Sequence, residues 1–416
     1  MSALLQSLGS GFEGDAARRM DLDALLREGL PSPRSEAWKY TSLRALERRG
    51  FAPATPVRGV SATLLDSIAS PRLVFINGAF DPGLSDCSTL PVGVGLSARD
   101  GVRNLASEDG VSLAHSDDAF ARLNLLLSHT GTILQVAADT DVAVAVHLVF
   151  VGVPAESDQA WHLRHNIAIG ANSRITLVEH HLASGHHAHL ANTVLGVEMD
   201  ANAQLTHVRV QREADAGTSL LRTDAVLGVR ARYVRLDLEL GAGLSRHELN
   251  VRLVGDGASL VANGVQLALG RRHLDARLNV EHVARDTACD LTWRALAAGR
   301  GRVVFHGGIT IHAGADGSDA RLSSKSLLLS DTAEIDAQPV LEIHADEVKA
   351  AHGATVGELD VGAIFYLRTR GLPEVDARRL LTAAFCREPL GIIRDDALRQ
   401  SLVEAVDAAL TELRAA

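Results

Sequence analysis

His352 is one of the side chains of this 416-residue chain with the clearest capacity for chemistry. It precedes Gly353, between a strand-like segment at 340–343 and an apolar pattern of helical spacing that starts near Ile364. A histidine at a strand-to-helix junction can be presented to another molecule, and a neutral imidazole is a suitable ligand for Fe²⁺. The alternative is that His352 caps the following helix or bonds backbone carbonyls at the junction.

A second group of histidines surrounds a Ser184-Gly185 turn. Its members are His180, His181, His186, His187 and His189. No carboxylate or cysteine completes a ligand set, and strand alternation would put His187 and His189 on one face and His186 on the other. The pattern therefore favours a solvated hairpin or coil corner over a metal site or an iron relay.

The three cysteines do not form a recognisable metal site. Cys87, Cys289 and Cys386 are widely separated and no CxxC occurs, which argues against structural zinc or a complete four-cysteine cluster site within one chain. Cys289 lies in a strand-like run and Cys386 in a helical run, so both are predicted to be small buried residues. Cys87 follows a Pro-Gly turn and is expected to be more exposed.

Catalytic motifs are also absent from the sequence. The glycine-rich stretches lack the GK[ST] of a phosphate-binding loop, so we expect no ATP hydrolysis, and no GxSxG, HExxH or GxGxxG occurs. Carboxylates at Asp237, Glu239 and Glu248 could line a groove of a β-helix carbohydrate-active enzyme, a lyase or hydrolase. Solvation of a strand face explains these three residues equally well.

Composition limits the classes of protein that remain. The net charge of −10 does not suit a nucleic-acid-binding protein, which needs a basic face for phosphate. Apolar residues make up 46% of the chain and aromatic residues only 4%, so Val, Leu, Ile and Ala must build the core. The sequence shows no secretory signal and no apolar run near the ~18 residues of a membrane span, which predicts a soluble protein of the reducing cytoplasm.

Hydrophobic periodicity divides the chain into three predicted regions. Residues 1–131 are mixed and mainly helical, with amphipathic patterns at 15–28 and 117–128. Residues 132–345 alternate with a period of two and contain recurring small-residue turns near 170, 200, 255 and 331, which favours a β-solenoid over an antiparallel sandwich. Residues 346–416 follow, with helices predicted at 361–370, 376–387 and 395–413.

Several segments, in order, resemble the SufB/SufD family of iron–sulfur cluster assembly proteins. These are SEAWKYTSL (35–43), LVFINGAF (73–80), the long segment 301–360 with its HGATVG, and FYLRTRGLP (365–373). The resemblance implies a mainly β protein, a right-handed parallel β-helix core with N-terminal and C-terminal α-helical domains. It also implies a non-catalytic scaffold in a SufBCD complex, where SufB and SufD pair through their β-helices and the C-terminal helical domain binds the SufC ATPase.

The resemblance assigns roles to a few residues of this chain. The family's SufD histidine maps onto His352, which implies a metal ligand for iron or a nascent Fe–S cluster shared with SufB. Docking of SufC is implied for Phe365, Tyr366, Arg368 and Arg370. Where relatives often have a KCSHG-like run, residues 349–353 read KAAHG, so the sulfur ligands would have to come from SufB. The missing thiol favours the SufD branch of the family, and binding of reduced flavin and homodimerisation of the isolated chain stay open.

Overall fold

Alternating side chains give the central region long strands, and the periodic apolar segments on either side form helices. The computed structural model describes residues 2–32, 34–57, 60–100 and 118–414. The helices are α1 (Ala3–Ser10), α2 (Ala16–Glu28), α3 (Arg44–Glu47), α4 (Ala119–Leu127), α5 (Val361–Thr369), α6 (Glu374–Arg387) and α7 (Asp396–Thr411). Short 3-10 helices occur at Glu36–Trp38, Ala62–Leu65, Glu388–Ile392 and Glu412–Arg414.

Most of the described strands are about ten residues long. They are β1 (Ala52–Pro53), β2 (Arg72–Ile76), β3 (Ala79–Phe80), β4 (Val94–Asp100), β5 (Thr130–Val136), β6 (Val146–Gly152), β7 (Gln159–Ile169), β8 (Arg174–Ala183), β9 (Leu190–Met199), β10 (Gln204–Arg212), β11 (Thr218–Leu227), β12 (Arg232–Glu239), β13 (Leu244–Leu253), β14 (Ser259–Ala268), β15 (His273–His282), β16 (Ala288–Ala297), β17 (Arg302–Ile311), β18 (Asp319–Leu328), β19 (Glu334–Ile343) and β20 (Lys349–Gly357).

These strands stack into a parallel β-solenoid with two sheets. Odd-numbered strands from β5 to β19 pair in sequence order in sheet A, and even-numbered strands from β6 to β20 do so in sheet B. Each strand therefore pairs with the strand of the next coil rather than with its neighbour in sequence, which is the arrangement of a solenoid and not of a sandwich. The prediction of a mainly β, parallel solenoid with helices at both ends is confirmed.

The solenoid core consists of side chains stacked in register between the sheets. One inward-facing column joins Ile175, Leu205, Tyr233, Leu260 and Cys289, and each of these side chains is almost fully buried. Cys289 is thus a small core residue, as predicted, and its position leaves the thiol without access to solvent.

Corners of the solenoid use residues that tolerate a left-handed backbone. Asn172 and Asn202 both have φ near 58°, a conformation that asparagine adopts more readily than most residues. The Asn202 side-chain amide donates to Asn172 Oδ1 at 2.8 Å, so successive corners also bond along the stack. The small-residue turns predicted near 170 and 200 correspond to these corners.

Helices cover the outer faces of the sheets. Helices α6 and α7 pack on sheet B through Cys386, Leu402 and Val406, against strand residues such as Leu236 and Leu238. Elements of the N-terminal region pack on sheet A through a separate cluster that contains α1, α2 and α4. Among the described residues, no helix combines the length and apolar character that crossing a bilayer requires.

The N-terminal region also contributes strands, which the sequence pattern understated. Strand β2 pairs in parallel with β6, and β4 pairs antiparallel with β5, so both sheets extend into the first third of the chain. The helix predicted at 15–28 is present with Asp15 as its N-cap, and α4 begins after Asp118, while residue 117 lies outside the described residues. The three C-terminal helices lie where the periodicity predicted them.

Candidate functional site at the open end of the solenoid

The solenoid ends in two edge strands that nothing in the described chain covers. Strand β19 pairs only with β17, and β20 pairs only with β18. Both strands expose apolar side chains, among them Val340, Ile343 and Val356. An uncovered strand edge presents unpaired N–H and C=O groups, which makes it a template for pairing with another chain.

His352 lies in the middle of β20, at this open end. Its Cα is in register with Leu322 of β18, a residue of the solenoid core. His352 therefore occupies an inward-facing position, yet its side chain is exposed because no further coil stacks on it. The imidazole makes no side-chain hydrogen bond or ion pair within the described ranges, so both ring nitrogens are available for a ligand.

The predicted strand-to-helix junction at His352 is wrong. Strand β20 continues five residues past His352 to Gly357, and α5 begins only at Val361. Asp360 caps that helix, because its Oδ1 accepts from the backbone N–H of Gly362 at 2.7 Å and of Ala363 at 3.2 Å. The parallel stack thus extends beyond residue 345, and helix capping by His352 is excluded.

Helix α5 carries the four residues that the resemblance linked to partner docking. Phe365 and Tyr366 are 67% and 57% exposed, which is unusual for aromatic side chains and typical of a contact surface. The Arg370 guanidinium lies 5.2 Å from the Tyr366 ring centroid, and Arg368 pairs with Glu374 at 3.3 Å. Further exposed apolar side chains on α5 and α6 are Val361, Val375 and Leu380.

The histidine group at 180–189 does not converge on one site. His180 points to the outer side of sheet B, where its Nε2 lies 3.0 Å from His147 Nδ1. His181 faces the interior and contacts Glu179 at 3.1 Å, while His187 and His189 stack at the coil corner with ring centroids 4.5 Å apart. Across the described residues, no three His, Cys, Asp or Glu side chains are arranged to hold a metal ion.

A buried ionic network in the middle of the solenoid was missed by the sequence analysis. Its charged and polar members face the interior of sheet B: Glu179, His207, Arg209, Tyr233, Arg235, Asp237 and Glu239. Asp237 accepts from Arg209 Nε at 3.0 Å and from Arg235 Nε at 2.9 Å. Arg209 also bonds Glu239, so two guanidinium groups share two carboxylates in a space closed to solvent.

Burial and neighbouring charges set the protonation states of Asp237 and His207 in this network. Burial raises the pKa of the Asp237 carboxyl, but the Arg235, His247 and Arg209 side chains outweigh burial and hold that pKa well below its usual range. Burial, reinforced by the Arg235 charge, lowers the pKa of His207 to about 4. Asp237 is therefore ionised and His207 neutral at neutral pH.

This network contradicts the solvated-face interpretation of Asp237 and Glu239. Both side chains are at most 2% exposed, and both carboxylates form ion pairs with an arginine. Glu248 lies on sheet A and pairs with Arg246 and Arg222. The three residues do not form a carboxylate pair in an open groove, so the geometry does not favour the carbohydrate-active enzyme.

The described chain is thus a parallel β-solenoid with helices at both ends, an open terminal coil and an accessible histidine in that coil. A family model described as "SUF system FeS cluster assembly, SufBD core domain" matches residues 152–385. The chain belongs to this SufB/SufD family, as the resemblance indicated.

Relatives match over most of the chain. The iron-sulfur cluster assembly protein SufD of Escherichia coli (strain K12) is 30% identical, over 97% of this chain and 96% of that protein. An iron-sulfur cluster assembly SufBD family protein of Synechocystis is 29% identical over 96% of this chain and 93% of its own length. SufD of Bacillus subtilis (strain 168) is 24% identical over 72% of this chain and 68% of its own length.

Proposed function

We propose that this chain is a non-catalytic scaffold subunit of a SufBCD iron–sulfur cluster assembly complex. It pairs with SufB through the open end of its solenoid and binds the SufC ATPase through the helices of a C-terminal domain at 346–416. The remaining domains of the proposal are a mainly helical region at 1–131, which also adds β2 and β4 to the sheets, and the β-helix core at 132–345, which β20 extends to Gly357. The observation that carries the proposal is the uncovered terminal coil, with His352 exposed at an inward-facing position.

His352 is proposed to supply one imidazole ligand to iron or to a nascent cluster, which is the cargo of the complex. Residues 349–353 contain no thiol, and among the described residues no three His, Cys, Asp or Glu side chains are arranged to hold a metal ion. Iron bound there needs further ligands, and thiolates of SufB are suited to complete the set. The cluster would therefore form only when the two subunits are paired.

Pairing is supported by the chemistry of the edge strands. Unpaired backbone groups of β19 and β20 can form β-ladder hydrogen bonds with a strand of a second chain. That chain can also bury the exposed apolar side chains of Val340, Ile343 and Val356. The same edge is compatible with homodimerisation when the chain is alone. SufC docking is supported by the exposed Phe365 and Tyr366, whose rings would leave solvent in an interface.

The decisive experiment replaces His352 by alanine. The variant should keep the thermal stability of the parent, because an exposed imidazole without partners contributes little to the core. Cluster reconstitution with SufB and SufC, followed by visible absorbance, should fail because a methyl group cannot bind iron. His344→Ala is the matched control, since His344 is also exposed and follows β19. Normal assembly by His352→Ala would remove the residue from the mechanism.

Two further variants test the partner surfaces. Val356→Lys places a charge on the open edge and should abolish pairing with SufB in light scattering, because charged edge residues block strand addition. Val254→Lys, at a coil corner, is its control. Phe365→Ala should weaken SufC capture, whereas Met20→Ala, an exposed apolar residue of α2, should not. Unchanged pairing or capture in the edge and α5 variants would contradict the assigned surfaces.

A further inference from the structure

A cavity of about 490 Å³ opens where the N-terminal elements meet sheet A. Its walls come from α1, β1, β3, the end of α4 and residues 160–162 of β7. Small-molecule sites in proteins usually occupy about 300–1,000 Å³, so this cavity has the size of a ligand site. Several strands of sheet A separate β7 from β19, which places the cavity away from the open end of the solenoid.

Pro56 ends the pairing of β1 with β7 and leaves part of β7 uncovered. The backbone N–H of Ala54 donates to Ala160 O at 3.2 Å, as one step of a parallel ladder. The next donor on this side would be residue 56, but a proline has no N–H. Pairing of β7 with β5 begins only at Leu163. Neither β1 nor β5 therefore covers residues 161–162, and the cavity lies over them.

His162 presents a hydrogen-bond donor at this uncovered part of β7. Asn192 Nδ2 donates to Phe120 O at 2.9 Å, and the same amide group lies 3.1 Å from His162 Nδ1, which must accept from it. Burial, and next the charge of His129, lower the pKa of His162 to about 3, so the neutral ring carries its proton on Nε2. Within the described ranges Nε2 has no hydrogen-bond partner, and it is not sealed from solvent.

Apolar walls and one carboxylate surround this donor. Phe51 and Leu127 are almost fully buried and Phe80 is half-buried, so rings and an aliphatic side chain face the space. Exposed Glu13 is the one Asp, Glu, Lys or Arg among the lining residues, all of which belong to the described chain. A ligand carboxylate or phosphate would meet that negative charge and no cation, and a buried charge without a partner is costly. A cationic group would turn its own N–H donors toward the N–H of His162.

We propose that this cavity binds an uncharged aromatic molecule with a carbonyl-type acceptor, which accepts from His162 Nε2–H while the aromatic ring packs against Phe51, Phe80 and Leu127. The site is separate from the open end of the solenoid and from α5. It goes beyond the proposed scaffold function and does not depend on which partners the chain has.

The test is a ligand-observed NMR titration of the full chain at neutral pH with three probes of nearly the same shape: uncharged benzamide, anionic benzoate and cationic benzamidinium. Benzamide should bind the parent protein. The charged probes should bind about tenfold more weakly, because the anion meets Glu13 and the cation has no acceptor for His162.

The matched variants separate the hydrogen bond from the apolar walls. His162→Phe keeps a ring but has no N–H, so it should weaken benzamide binding about fivefold. His306→Phe is the control, since His306 is a half-buried histidine of β17 that does not line the cavity, and it should bind benzamide as the parent does.

A second variant keeps the proposal testable if far-UV circular dichroism shows that His162→Phe folds poorly. Glu13→Gln removes the negative charge at an exposed position, so it should bind benzoate about threefold more tightly than the parent does, with unchanged affinity for benzamide. Absence of benzamide binding to the parent overturns the site. Parental benzamide affinity in folded His162→Phe, or an equal loss in His306→Phe, overturns it too. Unchanged benzoate binding by Glu13→Gln, or a charged probe that binds the parent as tightly as benzamide, overturns the uncharged class of ligand.

Discussion

Replacing Asp237 by asparagine should destabilise the protein strongly, although the two side chains have nearly the same volume. Asp237 is fully buried and accepts hydrogen bonds from Arg209 Nε at 3.0 Å and from Arg235 Nε at 2.9 Å. Its Oδ1 also lies 2.7 Å from Arg235 Nη2 in an ion pair. An asparagine offers one acceptor oxygen and turns an N–H₂ donor toward the guanidinium groups. Removing one member of a buried ion pair typically costs about 3–5 kcal/mol.

Because other carboxylates remain near the two arginines, we expect Asp237→Asn to lower the free energy of unfolding by about 3 kcal/mol, the lower end of that range. Glu239 still bonds Arg209, and Glu179 lies 3.5 Å from Arg235, so neither cation is left without any anion. The free energy of unfolding is measured by urea titration at pH 7.5, with tryptophan fluorescence and far-UV circular dichroism as probes. Coincidence of the two transitions is required before one value is assigned.

Two comparisons make this prediction refutable. Asp290→Asn removes an exposed carboxylate of β16 and should change the free energy of unfolding by less than about 0.5 kcal/mol. The difference between parent and Asp237→Asn should persist in 1 M salt, because buried pairs are screened far less than surface pairs. The reasoning would be refuted if Asp237→Asn had the same urea midpoint as the parent and the same dependence of the free energy of unfolding on urea concentration.

Two more variants probe the solenoid interior. Burial, opposed by the Glu179 charge, lowers the pKa of His165 to about 4. His165 therefore takes up its proton at a lower pH in the folded protein than in the unfolded chain. The free energy of unfolding must then fall as the pH drops from 6.5 toward 4. At pH 5.5 this group costs about 1.4 kcal/mol. In urea titrations His165→Leu should therefore reduce the fall in stability between pH 7.5 and 5.5 by about that amount, whereas exposed His186→Leu should show the same fall as the parent. A Cβ at Gly264 would lie 2.2 Å from the Trp293 ring, so Gly264→Ala should cost about 1–3 kcal/mol and shift tryptophan emission; an unshifted spectrum with parental stability would contradict this.

Most of the fold could be predicted from periodicity. A period of two over 132–345, with small residues at the corners, required coils that share a core. The helical segments followed from the 3.6-residue period, and Asp15, Asp118 and Asp395 cap them as such residues do. Periodicity and N-cap residues depend only on residues close in sequence, so they can be recognised without knowledge of tertiary contacts.

Strand β20 could not be predicted in the same way. Residues 349–357 contain small and polar side chains and little apolar alternation. The strand is nevertheless held by its ladder to β18, and an uncovered terminal coil has no need of a fully apolar inner face. His352 was therefore identified as a candidate ligand, while its placement within a strand was missed.

The inward direction of the polar face of β12 could not be read from the sequence either. Alternation separates Arg235 and Asp237 from Leu236 and Leu238, but it does not state which face points to the core. In most antiparallel sheets the apolar face is inside. Here Leu236 and Leu238 pack outward beneath the C-terminal helices, so the polar side chains are left for the interior.

The buried charges also explain how a stack of similar coils keeps a single register. A slip of two residues preserves the inward face of every strand, so apolar columns alone penalise it weakly. In the observed register Arg209 lies opposite Asp237. A two-residue slip in one direction would put Arg209 opposite Arg235, and in the other direction it would place Arg235 opposite Leu205. The first slip sets two buried cations against each other at a cost of several kcal/mol. The second slip takes Arg235 away from Glu179 and His207 but keeps its pair with Asp237 of the same strand, so it costs less.

Register set in the middle of the solenoid is transmitted to its open end. Each strand from β12 through β14, β16 and β18 to β20 is fixed by continuous pairing with the strand of the preceding coil. The pair of His352 with Leu322 therefore ends an unbroken ladder that includes the pair of Arg209 with Asp237. The interior network, which is remote from the edge, penalises slips in the strand pairs that it spans, and the continuous ladder joins those pairs to the coil that carries His352.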